Sequence, residues 1–241
     1  MKILFLISLF FFEICQAQLC IINDKDGYTN VREKPNQNSK IIGKIIEGQV
    51  FAIDSYVQDQ ENKSKDWIAV KFPVSINKNP DFLRFEGEEK TGYLHKSRLK
   101  ELENLPEFEK TEVNLHKVIH HNKDTEITIE SQAFIQANHK ITQSDKGFYL
   151  IDGEKALAYN AGERTEIKSI VIKSKNSNYT VPKSSFRNLL TAQAVNTRIF
   201  RGSGNEVYIV FDAGDGADSY NIVFCIRNNR LFSRTITSTI P

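Results

Sequence analysis

Residues 27–50 contain the stretch that decides the fold, Gly27-Tyr28-Thr29-Asn30-Val31-Arg32-Glu33-Lys34-Pro35, which continues into Ile42-Gly43-Lys44-Ile45-Ile46-Glu47-Gly48-Gln49-Val50. The first part predicts a strand that ends at Asn-Val-Arg and enters a proline-containing loop. The second part predicts two further strands separated by a glycine turn.

Two later blocks continue this pattern. Asp66-Trp67-Ile68-Ala69-Val70 begins a strand whose apolar residues alternate, and Gly92-Tyr93-Leu94-His95 begins another, with Leu99 following. Between Phe72 and Gly92 the chain is polar and contains proline and glycine, which predicts an inserted, mobile loop.

The order and spacing of these blocks resemble the bacterial SH3 (SH3b) family. The resemblance covers residues 20–102 and implies a small β-barrel that binds or positions a ligand and does not catalyse. It implies cell-wall peptide or glycan, or a protein of the cell envelope, as the binding partner. Fold and function are separate inferences, so the ligand class rests on this resemblance alone.

Four aromatic residues of this segment are candidate ligand-binding residues: Tyr28, Tyr56, Trp67 and Tyr93. An aromatic ring beside a loop offers contact area to a peptide or glycan, and its polar tip can form a hydrogen bond. The alternative interpretation is that Trp67 and Tyr93 fill and cap the barrel.

The rest of the chain also predicts an all-β fold. Residues 103–112 lose the apolar alternation and gain charge and proline, which indicates a linker before a second, mostly β domain at 113–241. Strands are predicted at 125–130, 146–151 and 165–173, followed by a three-stranded meander at 206–212, 219–227 and 230–237. One short helix is predicted at Ser185–Thr191, with a serine cap.

The N-terminus predicts export. A lysine at position 2, an unbroken apolar run from Ile3 to Phe12 and an alanine at position 17 are typical of a signal peptide spanning residues 1–17. A lipid-modified Cys20 is disfavoured because Leu19 precedes it. The protein is therefore expected in the periplasm or outside the cell, with no transmembrane segment after cleavage.

Charge does not indicate nucleic-acid binding. The formal net charge is +2, and basic and acidic residues interleave along the chain without a basic stripe. No sequence feature calls for a cofactor.

A loop near the C-terminus contains Asp212, Asp215 and Asp218 around two glycines, and its oxygen atoms are weak candidates for binding calcium. The spacing differs from an EF-hand loop, and a tight turn explains the glycines equally well. The loop is similar to a pattern in uncharacterised exported proteins of Bacteroidetes-type bacteria, which implies no activity.

Catalytic motifs are not assembled. His116, His120 and His121 cluster without the carboxylate of a zinc-peptidase motif. Cys225 lies in an apolar strand, where a buried thiol is an unsuitable nucleophile, and could alternatively pair with Cys20.

Two functional hypotheses remain. The first is a non-enzymatic binding or scaffold protein of the envelope. The second is a hydrolase of unrecognised type at 113–241 that the SH3b unit delivers to its substrate.

Overall fold

The computed structural model describes residues 17–78, 81–160, 162, 164–175, 177–214 and 216–239. These residues are mostly β-strand, which confirms the predicted all-β class. Of the predicted signal peptide only Ala17 is described, so this prediction lies outside the described residues. Within the described ranges, no helix has the length and apolar character needed to cross a bilayer.

The N-terminal part contains one α-helix, α1 (Ser55–Gln60), and seven strands. The strands are β1 (Leu19–Ile22), β2 (Tyr28–Arg32), β3 (Ile41–Ile46), β4 (Phe51–Ile53), β5 (Trp67–Lys78), β6 (Leu83–His95) and β7 (Leu99–Glu101).

The remaining strands form two groups. The first group is β8 (Glu109–Asn114), β9 (Lys117–Asn122), β10 (Thr125–Ala133), β11 (Ile141–Gln143), β12 (Tyr149–Ile151), β13 (Glu154–Lys155), β14 (Thr165–Ser174) and β15 (Ser177–Thr180). The second is β16 (Thr197–Arg201), β17 (Glu206–Ala213), β18 (Tyr220–Arg227) and β19 (Arg230–Ser238). Strands β17, β18 and β19 confirm the predicted meander.

Three sheets result. The main sheet has eleven strands in the order β16-β17-β18-β19-β6-β5-β4-β1-β7, with β2 and β3 attached through β6. A five-stranded sheet has the order β15-β14-β10-β9-β8, and a three-stranded sheet the order β11-β12-β13.

Strands β2 and β3 close the barrel-like part of the main sheet against β5 and β6. Val31 and Leu94 point into the core between them, where both are fully buried. A Cβ atom on Gly92 would lie 2.5 Å from the Val31 side chain, so glycine at this position allows β2 to approach β6. The Gly-Tyr block of the sequence is therefore a packing requirement of the barrel.

The prediction of an inserted loop between Phe72 and Gly92 is wrong, because this segment forms paired strands. Strands β5 and β6 form an antiparallel pair in which Trp67 lies opposite His95 at one end and Lys78 lies opposite Leu83 at the other. The register shifts once, between Pro73 and Ser75. Phe85 in this arm is fully buried, which anchors the hairpin to the molecule. Because apolar residues alternate with the polar ones, the arm pairs as strand and not as loop.

The extended arm also connects the two halves of the chain. Strand β19 pairs in parallel with β6, from Ser233 and Leu83 to Thr235 and Phe85. Leu102 and Leu105 pack in one core cluster with Tyr208. The main sheet therefore takes strands from both predicted domains, and residues 109–112 of the predicted linker belong to β8. The division into two domains stays a prediction.

The predicted helix positions were wrong. The segment around Ser185 forms only a 3-10 turn at Lys183–Ser185, because the Ser185 hydroxyl donates back to the Pro182 carbonyl oxygen. Among the described residues, the α-helix lies instead at Ser55–Gln60, a segment for which no helix was predicted. Asp54 caps this helix by accepting a hydrogen bond from the Val57 N–H at 3.0 Å.

Candidate functional site: an aromatic cleft

Two of the four predicted aromatic residues line one cleft. Tyr28 on β2 and Trp67 on β5 lie on its walls, and the cleft has a volume of about 500 Å³. Tyr93 and Tyr56 do not line it. Tyr93 is half-buried on β6, and Tyr56 is 61% exposed on α1. We call this the aromatic cleft, lined among others by Tyr28, Asn30, Arg32, Trp67, His95 and Arg98.

The cleft lies where β2 and β6 diverge. Among the described residues these strands pair at Arg32 and Tyr93, and towards Tyr28 the cleft separates them. Side chains alternate along β2, so Thr29 and Val31 are buried while Tyr28, Asn30 and Arg32 are more exposed and line the cleft, which Thr29 also borders. The alternation of β2 therefore supplies one wall.

The opposite wall comes from the β5–β6 hairpin. Trp67 and His95 are directly opposed in the antiparallel pair, so their side chains share a face. Their rings meet edge to face, with centroids 5.6 Å apart. Tyr93 lies two residues before His95 on the same face of β6 but does not line the cleft.

Hydrogen bonds fix the base of the Trp67 wall. The Lys96 ammonium lies 2.7 Å from the Asp66 carboxylate, and the Lys96 backbone N–H donates to the Asp66 carbonyl oxygen at 2.8 Å. The hydrogen bond from Lys96 lowers the pKa of Asp66, which stays ionised. His95 Nδ1 lies 2.8 Å from the Ser97 hydroxyl, which holds the imidazole ring against Trp67.

The rim of the cleft carries charges of both signs. Arg98 Nη1 lies 2.6 Å from the Asp24 carboxylate, and Arg32 Nη1 donates to the Ser39 carbonyl oxygen at 2.7 Å. Lys44 lies over the Tyr28 ring, 3.8 Å from its centroid. The cleft therefore combines aromatic surface with donors and acceptors, which suits a polar, extended ligand.

Tyr93 and Tyr56 have other environments. Burial, with smaller contributions from Glu61 and Asp54, raises the pKa of Tyr93, so its hydroxyl is uncharged. Whether Tyr93 binds a ligand or caps the barrel stays a prediction. Tyr56 is exposed because α1 makes no buried contact of its own.

Sequence reasoning missed the polar part of the cleft. Arg32 and His95 were quoted as parts of the strand blocks but were not recognised as site residues. The signal that could have found them is the same alternation: Arg32 follows Tyr28 by four positions on β2, and His95 follows Tyr93 by two on β6.

The structure describes two of the three aspartates of the loop, Asp212 and Asp218. Asp212 lies 3.7 Å from Arg198 at the end of β17, and burial raises the pKa of Asp212, with Glu103 adding to this effect. Asp218 ends a 3-10 turn, and Asp215 lies outside the described residues. Gly214 and Gly216 both have positive φ, as a tight turn requires. Within the described ranges, no three metal-binding side chains converge.

The histidine candidates do not share one environment, and both cysteine candidates are buried. His120 is fully buried on β9, whereas His116 is exposed. Cys20 and Cys225 are free, buried thiols. Burial raises the pKa of Cys225 to about 12 and that of Cys20 still further, so neither supplies a thiolate nucleophile.

Comparison with protein-family models, curated proteins and solved structures finds no match to this chain.

Proposed function

We propose that this chain is an exported, non-enzymatic binding protein of the cell envelope, and that its aromatic cleft holds a cell-wall peptide or glycan strand. The SH3b resemblance of residues 20–102 supplies the ligand class. One observation carries the proposal: Tyr28 and Trp67, from strands far apart in sequence, line the same open cleft together with charged groups.

The chemistry of the cleft supports an extended polar ligand. Peptide strands present amide, carboxylate and ammonium groups, and sugar rings present hydroxyl groups above an apolar face. Aromatic rings contact the apolar parts of such ligands, while Arg32 and Asp24 provide groups of opposite charge for the polar parts.

The predicted export agrees with a location in the cell envelope. Cys20 lies in β1 between β4 and β7, and its side chain is fully buried. A lipid attached to this sulfur would have to displace the core, so simple cleavage near Gln18 fits the fold better than lipidation. Sequencing the N-terminus of the native protein tests this, and a start at Met1 or a lipid on Cys20 would overturn it.

Co-sedimentation with purified peptidoglycan tests the ligand. We expect the mature chain to sediment and the Trp67→Ala variant to remain largely in solution, whereas Tyr56→Ala sediments like the wild type. Equal sedimentation of the Trp67→Ala variant would overturn the cleft as the binding site. If the wild-type chain does not sediment, the cell-wall ligand is wrong.

A further inference from the structure

A second cavity lies at the junction of the two halves of the chain. It has a volume of about 560 Å³ and is bordered by the β6 arm, by residues 154–158 and by the end of β19. We call it the junction cavity; it is lined among others by Arg84, Glu89, Glu154, Leu157, Tyr220 and Ile236. It shares no lining residue with the aromatic cleft.

One carboxylate of the cavity, Glu154, is paired with two guanidinium groups. Its Oε1 accepts hydrogen bonds from Arg84 at 3.0 Å and from Arg187 at 2.9 Å, and Arg84 also lies 2.9 Å from Oε2. Burial alone would raise the pKa of Glu154, but the two guanidinium groups outweigh burial and lower it. The negative charge of Glu154 is therefore balanced by Arg84 and Arg187.

Glu86 is paired in the same way. It receives a hydrogen bond from Arg234, whose side chain is fully buried. Arg234 also donates to the Ser185 carbonyl oxygen at 2.7 Å and to Asn188 Oδ1 at 3.1 Å, which fixes its position. The charge of Glu86 is thus matched from the protein side.

Glu89 is different. Among the described residues, its carboxylate accepts a hydrogen bond from the Ser238 backbone N–H, at 3.2 Å, and forms an ion pair with Lys71, whose ammonium lies 3.9 Å away. The side chain is 12% exposed, and burial raises the pKa of Glu89 more than these two neighbours lower it. The cavity therefore contains a partly buried carboxylate that its surroundings compensate only weakly.

Among the described residues, the basic side chains of the lining have partners other than Glu89, and Arg84 pairs with Glu154. The Lys155 ammonium lies over the Phe148 ring, 5.3 Å from its centroid. Asp218 adds a further negative charge at the rim. The end of the cavity at Glu89 therefore best accommodates a cation that comes from outside the chain.

Another part of the lining is apolar. It consists of Leu157, Ala158, Ile236 and the ring of Tyr220. The Tyr220 hydroxyl donates to the Leu190 carbonyl oxygen at 2.6 Å and is not available to a ligand. A ligand in this cavity would therefore contact carbon atoms along this wall.

We propose that the junction cavity binds a small organic cation that has a primary ammonium group at one end and a short apolar body. The ammonium group pairs with Glu89, and the apolar body lies along Leu157 and Ile236. The cavity volume falls within the range of small-molecule sites. This site is independent of the proposed function of the aromatic cleft.

Alkyl ligands of matched length test the proposal on the mature chain. We expect millimolar n-hexylammonium to raise the melting temperature in a saturable manner, as binding to the native state requires. Hexanol, which lacks the charge, and ammonium alone, which lacks the apolar body, should each bind at least tenfold more weakly. Hexanoate should bind least.

Glu89→Gln is the matched variant, because glutamine keeps the shape and an oxygen for the Ser238 N–H. We expect it to weaken n-hexylammonium binding about tenfold, as for the loss of a partly buried charge pair. Glu126→Gln, on the five-stranded sheet, should bind like the wild type. Equal binding of hexanol and hexylammonium, unchanged binding by Glu89→Gln, or no binding at all would overturn the proposal.

Discussion

The backbone N–H of Val50 donates a hydrogen bond to the hydroxyl of Thr235, 3.1 Å away, across 185 residues of the chain. Both residues are buried, and this bond joins the start of β4 to the last strand of the molecule. Because β19 also pairs with β6, the barrel and the C-terminal meander are expected to unfold together.

Thr235→Val tests this connection. The substitution removes the acceptor and leaves the buried Val50 N–H unpaired, which should lower the free energy of unfolding by about 1–3 kcal/mol. Urea denaturation followed by circular dichroism measures the change. Thr142→Val, at an exposed position of β11, should stay within about 0.5 kcal/mol of the wild type. A loss no larger than in this control would show that the bond does not stabilise the fold.

Tyr28→Ala should weaken ligand binding in the aromatic cleft by about tenfold, the usual scale for losing a central aromatic contact. The chain contains a single tryptophan, Trp67, so the change of its fluorescence during titration with soluble peptidoglycan fragments reports directly on the cleft. Tyr56→Ala serves as the control for surface tyrosines. A Tyr28→Ala variant with wild-type affinity would remove Tyr28 from the site.

His120 should make the protein sensitive to acid. Thr197 donates its hydroxyl hydrogen to the Ala194 carbonyl oxygen, so His120 Nε2 must be the donor to Thr197 Oγ1, at 2.8 Å. Nδ1 is buried without a hydrogen-bond partner, and the ring is therefore neutral. Burial lowers the pKa of His120 to about 4, from 6.5 in the unfolded chain.

The unfolded chain therefore binds this proton more readily than the native state. Stability contributed by neutral His120 is fully present above pH 6.5 and is lost as the pH falls from 6.5 to 4, by up to about 3 kcal/mol. Urea denaturation at pH 7 and pH 4 measures the loss, which should be smaller in His120→Gln. His116→Gln should behave like the wild type. An equal loss in His120→Gln would contradict this role of His120.

Calcium should leave the melting temperature unchanged. Asp212 is held near Arg198, and the positive φ of Gly214 and Gly216 is explained by turn geometry. Binding would instead raise stability with concentration, by about 2.7 kcal/mol at a hundredfold excess over the dissociation constant. A clear rise in millimolar calcium that is lost in Asp215→Asn would show that the loop is a cation site.

Cys20 and Cys225, the two cysteines among the described residues, should resist a thiol reagent in the native state and react after unfolding. Burial keeps Cys20 and Cys225 protonated and inaccessible. Colour development with Ellman's reagent, before and after denaturation without reductant, measures this. Rapid reaction in the native state would contradict the burial, and no reaction after denaturation would indicate a disulfide.

The sequence by itself determined the strand content of this protein and several of its turns. Alternation of apolar residues predicted β10, β14 and the β17–β19 meander, because one face of each strand must be buried. The turn at Asn228 and Asn229 was also predicted, and both residues have positive φ, which asparagine tolerates better than most side chains.

Only the tertiary structure decided which strands are neighbours and where the clefts lie. The parallel pairing of β19 with β6 joins residues 150 positions apart at Ser233 and Leu83, and no local pattern encodes such a partner. The apolar spacing around Ser55–Gln60 fits a strand as well as a helix, and the cap at Asp54 decides for the helix. The aromatic cleft and the junction cavity are assembled from separate segments, because packing, and not sequence spacing, brings their side chains together.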